Sequence, residues 1–319
     1  MWNEWATLIR ANMSDSDNEK NNDDELVKAL YSVKKSKRFG EKTAGLSSFG
    51  NFDYTAEGAN APQDGLQEVN AKLIEHSPFM KEFVVTAEMK EDAQFDIVAQ
   101  RSKAYVRAYK RTRAAFASAA LTAEGKTFTF GSKSDFDRTT GDGKALFAAD
   151  HPGVTGVAAQ SNVFTNAFGN DDAMLNRLAN IGFNFMNASG QNMGYTFDTL
   201  IVPGNAYRLI TLAKKIINSD QQVGSDFNDV NINKGMWKLV VDHHWQVTGG
   251  AEPYIIMSSQ ARDDLNGSLF YDRVPLTIRQ EVDVHSHNLV SSGRCRLSAG
   301  FGDWRHVLMG GASAGTTLT

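Results

Sequence analysis

Gly125-Lys126-Thr127 has the ending of a phosphate-binding loop, in which backbone amides close around phosphates after a run G-x-x-x-x-G-K-[ST]. Ala120 stands where the first glycine is required, and a helical pattern rather than a strand precedes the segment. No nucleotide site is expected there. His243 and His244 follow Asp242 at the end of the strand-like run WKLVVD. Adjacent strand residues point to opposite faces, so the pair is not expected to share a metal ion. His285 and His287 could share a face, but they stand in a turn without a clear third ligand. Asp150-His151 could form an acid–base pair, yet no recognisable Ser or Cys nucleophile motif accompanies it. No catalytic, cofactor-binding or metal-ligating residue is assigned, and no cofactor is expected.

A basic helix face offers a different chemistry. In FDIVAQRSKAYVRAYKRTRAAFASAAL, residues 95–121, a turn of about 100° per residue brings Tyr105, Tyr109 and Phe116 to within roughly 20° of Val98. Lys103, Arg107, Lys110 and Arg111 gather on the opposite side. The spacing predicts one long helix with an aromatic seam and a basic back, about 40 Å in length at ~1.5 Å per residue. No acid lies between Asp96 and Glu124, so the usual i,i+4 compensation is missing. A solvated charged face is the plain alternative. Otherwise the six cations from Arg101 to Arg113 must find anions beyond the helix.

The elements around this helix are bounded by composition. The chain has 319 residues, 41% hydrophobic and 22% charged, enough for one large domain or two moderate ones. No run approaches the ~18 apolar residues of a membrane span, and no membrane partner is expected. The N-terminal sequence MWNEWATLIRANMSDSD lacks the basic start and apolar stretch of a signal peptide. Cys295 is the single cysteine, which excludes an internal disulfide and a cysteine-based zinc site. An intracellular, reducing setting fits these features. A net charge of −4 argues against a dedicated nucleic-acid binder.

Residues 1–25 carry seven acids against Arg10 and Lys20, a net of −5, and residues 26–42 carry a net of +5. Such blocks predict an arm, or a solvated tail, with Trp2, Trp5, Leu8 and Ile9 available as anchors. Residues 43–72 are rich in Gly, Ala, Ser and Asn around Phe49, Phe52 and Tyr54, and 73–90 read as strand, so 43–90 predict a protruding two-stranded flap. GDGKALFAADHPG (141–153) reads as a turn-rich connection, and a second helix is predicted from Asp171 to Ala188, capped by Asn170. FDTLIVP, NAYRLITLAKKII, WKLVVD and PYIIMSS form a strand–helix–strand–strand module with a polar loop at 219–235. Antiparallel strands fill 274–309, with Cys295, Leu297, Ala299 and Phe301 on one side, and a flexible tail follows.

Taken in order, these elements resemble the major capsid proteins of tailed bacteriophages, the Hong Kong 97-type capsid fold, and look closest to the branch of Mu-like head subunits. The likeness runs from about residue 40 to 310 and is carried by five segments in the family's order. These are EFVVTAEMKEDAQFDIV leading into the long helix, GDGKALFAADHPG, FDTLIVPGNAYRLITLAKKI, LFYDRVPLTIRQEVD and GRCRLSAGFGDWR.

The resemblance implies an α+β chain with an N-terminal arm (1–42) and an extended loop (43–90). It further implies a peripheral domain (91–191) with a spine helix at 95–121, an axial domain (192–262), and return strands with a tail (263–319). It implies a subunit that self-assembles into hexamers and pentamers of an icosahedral head enclosing double-stranded DNA, bound without sequence specificity. Phe49, Phe52 and Tyr54 would touch a neighbouring subunit. Asp226, Asn228 and Asp229 would approach the capsomer centre. Lys103, Arg107, Lys110 and Arg111 would face a neighbouring subunit or the DNA side. Portal and scaffold proteins would be the other partners, with a decoration protein as a further candidate. The setting would be the virion capsid, assembled in the host cytoplasm. An encapsulin-type shell holding an enzyme cargo is the alternative on the same fold. A hydrolase resting on Asp150-His151 is the remote one.

Overall fold

Trp5, Ile9 and Met13 recur every four residues, and the chain uses that spacing to build a helix where the charge blocks predict an arm. In the computed structural model, which describes residues 2–46, 54–57, 60, 68–153, 158–187, 190–222, 229–248 and 252–318, helices α1 (Trp2–Asn18) and α2 (Asn22–Leu30) come first. Strands β1 (Ser32–Lys35), β2 (Gly40–Leu46), β3 (Glu68–Glu75) and β4 (Ser77–Val85) follow, then helix α3 (Ala87–Glu91) and the long helix α4 (Phe95–Thr122). The middle of the chain holds β5 (Thr127–Phe130), β6 (Lys133–Asp137), α5 (Ala173–Phe183), β7 (Thr199–Pro203), α6 (Tyr207–Asn218), β8 (Lys238–Asp242) and β9 (Tyr254–Met257). Helix α7 (Ser259–Asp264) and strands β10 (Ser268–Val282), β11 (Leu289–Phe301) and β12 (Val307–Gly310) close it. No described helix is long and apolar enough to cross a membrane.

The chain divides into two compact units. The first comprises Met1–Glu41, Ile74–Ala117 and Phe270–Ala299. Its sheet has the order β1-β10-β11-β4, with β4 antiparallel to β11 from Val85 opposite Leu289 to Ser77 opposite Leu297. Residues 77–85 are thus sheet, and the flap predicted for 43–90 is confined to the paired strands β2 and β3. The ladder to β11 pairs the β4 backbone groups that face it, and Val85 at its end is buried. Val98, Tyr105 and Phe116 of α4 are buried along the predicted seam. Trp5, Ile9 and Met13 of α1 join Val98, Tyr105 and Val106, together with Val85 and Leu289 of the sheet, in one core. Trp5 stacks on Phe95 at 4.3 Å between centroids. Gly293 on β11 lets the Tyr105 ring approach, since a Cβ there would stand 2.2 Å from the phenol oxygen. Cys295, Leu297 and Ala299 are buried, as their alternation predicts.

The second unit comprises Lys42–Leu73, Ser118–Leu269 and Gly300–Thr319. Its main sheet runs β12-β9-β7-β8, with β7 and β8 parallel and joined through α6. Leu200, Val202, Leu209, Ile216, Trp237 and Ile256 lead its core. Two predictions shift here. Helix α5 is shorter than the predicted 171–188, because the Asp172 carboxylate is held by Asn176 and Asn233 and the chain leaves the helix at Asn184. The C-terminal run DWRHVLM supplies β12 to this sheet, opposite β9, and the predicted flexible tail is tied down. Thr316 N–H donates to the Val163 carbonyl at 2.9 Å, and Leu318 N–H to Asn166 Oδ1 at 2.8 Å.

Buried polar side chains fix this unit's connections. Arg138, fully buried, donates to the carbonyls of Ala120, Leu121 and Gly125 at 2.8–3.0 Å, satisfying acceptors that the end of α4 leaves open. His151 bonds through Nδ1 to Asp142 at 2.7 Å and lies flat on Trp304, with centroids 4.1 Å apart. His306 donates from Nδ1 to the Asp303 carbonyl and accepts from Ser268 Oγ at Nε2, an arrangement that requires the neutral ring.

Arg138→Ala is expected to lower the unfolding free energy by about 3 kcal/mol, by stranding buried carbonyls. Arg138→Lys should recover only part of this, because an ammonium cannot fork to three acceptors. Chemical denaturation measures both. Acid should also destabilise the fold in two windows. Burial drives the His306 imidazole down to about 3, so the unfolded chain takes up a proton first and stability falls as pH drops below about 6.5. Burial would raise the Asp142 carboxyl, but hydrogen bonds from His151, Thr140 and the Lys144 N–H outweigh it and hold it at about 2. Its contribution is present above about pH 4 and lost as pH falls towards 2. Thermal unfolding across pH should show a shallower slope between 6 and 4 in His306→Gln than in the parent.

Candidate functional site

The basic helix face is the first place where the expected surface can be checked, and its residues separate into two groups. Lys110 is buried, and its ammonium donates to the carbonyls of Ser16, Asp17 and Glu19 at 3.2, 2.7 and 2.9 Å. These are the last carbonyls of α1 and the residue beyond it, so Lys110 caps that helix and meets its negative end. The lysine expected to face a neighbour or DNA is therefore engaged inside its own chain. Arg113 lies beside it, with bonds of 3.3 and 2.7 Å to Asp272 and one of 2.9 Å to Asp24. Asp24 also reaches Lys110 at 3.5 Å. Arg107, exposed, pairs with Glu19 at 3.2 Å. Lys103 is half-buried and Arg111 exposed. The anions that α4 lacks are thus supplied by residues 19–24 and by β10.

The loop before β8 holds a second pattern, which sequence reading missed. Asn231 and Asn233 point inward: Asn231 donates to the carbonyls of Ile216 and Ser219 at 2.6 and 2.9 Å. Asn233 donates to Asp172 at 2.6 Å and accepts from the Trp237 indole at 3.1 Å. The residues between and beside them point outward, with Val230 79%, Ile232 69% and Met236 64% exposed. Tyr207, at the start of α6, is exposed too. Amides inside and aliphatics outside invert the usual partition. The alternation V-N-I-N is the readable signal, within a segment whose composition predicts only a polar loop.

Asp229 is exposed beside this patch, whereas Asp226 and Asn228 lie outside the described residues. Tyr54 is 96% exposed, and Phe49 and Phe52 lie outside the described residues.

The remaining candidates are placed away from catalytic roles. Asp150 pairs with Lys144 at 2.5 Å, while His151 is fully buried against Asp142 and Asn162, so the two do not act as an acid–base pair. His285 and His287 are exposed in a turn organised by the Asp283 carboxylate. His243 and His244 differ from expectation: β8 ends at Asp242, strand alternation no longer applies, and their rings approach to 4.2 Å between centroids. Gly125 turns the chain at φ 83° between α4 and β5.

Removing Arg113 should separate buried from exposed pairing. Arg113→Ala leaves two carboxylates without their guanidinium and should cost about 3 kcal/mol. Arg107→Ala, which loses an exposed pair, should cost less than about 1 kcal/mol. Urea unfolding midpoints of the two variants give the comparison.

Three solved structures share the fold at low identity. The capsid of Myoviridae phage XM1 aligns at TM-score 0.55 and 13% identity, covering 89% of this chain and 90% of that one. A Mycobacterium phage Adephagia structure gives 0.55 and 11%, covering 92% and 90%. A virus-like particle from Pyrococcus furiosus gives 0.52 and 11%, covering 96% and 99%. No curated protein matches the chain. The architecture is the Hong Kong 97-type capsid fold that the sequence resembles. The family model described as phage capsid protein matches residues 79–309, from β4 through to β12. With that match covering most of its length, the chain belongs to the phage capsid protein family.

Proposed function

We propose that copies of this chain assemble into the hexamers and pentamers of an icosahedral phage head that encloses double-stranded DNA. The observation that carries assembly is the outward patch of Val230, Ile232 and Met236, held in place by inward-pointing amides. Apolar side chains fixed outward by a hydrogen-bonded base gain free energy when a second surface covers them. The symmetric copy is the partner a shell protein always has to hand. In this reading the loop at 219–235 approaches the capsomer centre, with Asp229 at the patch's edge, and the β2–β3 flap bearing Tyr54 lies on a neighbour. Portal and scaffold proteins meet the shell during assembly in the host cytoplasm. The mildly acidic net charge of −4 suits a container filled by a motor rather than one that condenses DNA by itself. An encapsulin-type compartment would use the same fold, but it rests on no observation that the phage family does not also account for.

Electron microscopy of the purified protein, alone and with scaffold, tests the proposal: closed shells are expected, and a protein that stays monomeric at high concentration refutes it. Val230→Ser with Ile232→Ser should leave the melting temperature of the unassembled protein within about 2 °C, because both side chains are exposed. The same pair should reduce particle yield at least about tenfold, since each contact recurs around the ring.

A further inference from the structure

The stripe of α4 that faces the sheet of the first unit leaves space beneath it. Tyr105, Ala108, Tyr109 and Thr112 follow helical spacing on one face, and two of the four side chains are small. Across the gap stand Phe79 on β4, Leu276 on β10 and Cys295 on β11. Gly293 also borders it and must stay bare to admit the Tyr105 ring, so the sheet cannot fill the gap from that position. What remains is a pocket of about 140 Å³, with Met80, 67% exposed, and the exposed Lys81 at its rim. All of these residues belong to the first unit.

The walls define the chemistry of an occupant. The rings of Phe79, Tyr105 and Tyr109 suit a flat aromatic partner, and so do the sulfurs of Met80 and Cys295. The volume is that of a single ring, since apolar cavities of about 150 Å³ stay dry and take up benzene. Burial pushes the Cys295 thiol up to about 11 and, with Asp272 nearby, raises the Tyr109 phenol too. Both therefore stay neutral near pH 7, and the walls supply no ionised group. Tyr109 adds one polar demand. Tyr105 donates to the Lys81 carbonyl, and Thr112 donates to the Ala108 carbonyl at 2.8 Å. The Tyr109 hydroxyl, by contrast, has no hydrogen-bond partner among the described residues.

We propose that this pocket binds a small neutral aromatic molecule of the phenol class, with its ring between α4 and the sheet and its hydroxyl bonded to Tyr109. An apolar enclosure with one polar group to orient the ligand is the usual form of a small-molecule site. A leucine or phenylalanine side chain from another chain would match the walls but leave the Tyr109 hydroxyl without a partner. The site is complete within one chain, so it goes beyond the shell-forming reading and does not depend on it.

Titration calorimetry of the unassembled protein with phenol, benzene and benzoate tests it. Phenol should bind with a Kd on the order of 1 mM or tighter, benzene about fivefold more weakly, and benzoate not measurably. At ten times its Kd, phenol should raise the melting temperature by about 2–4 °C. Tyr109→Phe should bring phenol down to the affinity of benzene while leaving benzene within about twofold of its parent value. Ala108→Leu should fill the pocket and weaken both ligands at least about tenfold. Circular dichroism establishes that each variant folds. Should Ala108→Leu fail to fold, Thr112→Leu, half-buried on the same stripe, takes its place with the same loss expected.

The proposal is overturned if neither phenol nor benzene binds the folded parent, or if a folded pocket-filling variant binds both as the parent does. An advantage of phenol over benzene that survives Tyr109→Phe would place the hydroxyl elsewhere and overturn it too. Phenol that binds free subunits but is excluded from closed shells would give the pocket to a neighbouring copy's side chain, and that also overturns it.

Discussion

The burial of Lys110 is the constraint from which much of the first unit follows. An ammonium inside a protein must be surrounded by oxygen, and α4 offers no carboxylate beyond Asp96. The oxygens come from the carbonyl end of α1 and from Asp24, so the N-terminal residues must fold against the long helix for the cation to be tolerated. Arg113 extends the same bargain to β10 through Asp272. The apolar contact of Trp5, Ile9 and Met13 supplies attraction, while the two cations fix where along α4 the segment settles. Charge here acts as registration more than as adhesion.

The long helix was legible because its signal is periodic: an aromatic every turn or two and a basic stripe opposite can be read from spacing alone. The strand–helix–strand–strand module was legible for the same reason, and Leu200, Leu209, Ile216 and Ile256 sit in its core as their pattern implies. The N-terminal helices were obscured because charge blocks mimic disorder, although Trp5 and Ile9 carried the contrary signal. That signal mattered only once α4 was there to receive it.

What stayed illegible was the polar wiring. Arg138 reaching back to Ala120, and His151 lying between Asp142 and Trp304, depend on loop paths that no local period encodes. The outward aliphatic patch was half legible. The polar loop at 219–235 is legible, with Asp226, Asn228 and Asp229 as its expected residues, while the aliphatics of V-N-I-N carry no such signal on their own. Composition describes what a loop contains; only the hydrogen bonds of Asn231 and Asn233 reveal which half faces out.

That inversion has a consequence for the unassembled chain. Were Val230 and Ile232 turned inward and the amides outward, the subunit would present a conventional wet surface. The bonds from Asn231 to the end of α6 and from Asn233 to Asp172 oppose that reversal. Two modest side chains therefore hold Val230 and Ile232 out in water in the single chain. In the proposed shell that patch is set before any neighbour arrives, which would make the timing of synthesis relative to shell growth a matter of solubility.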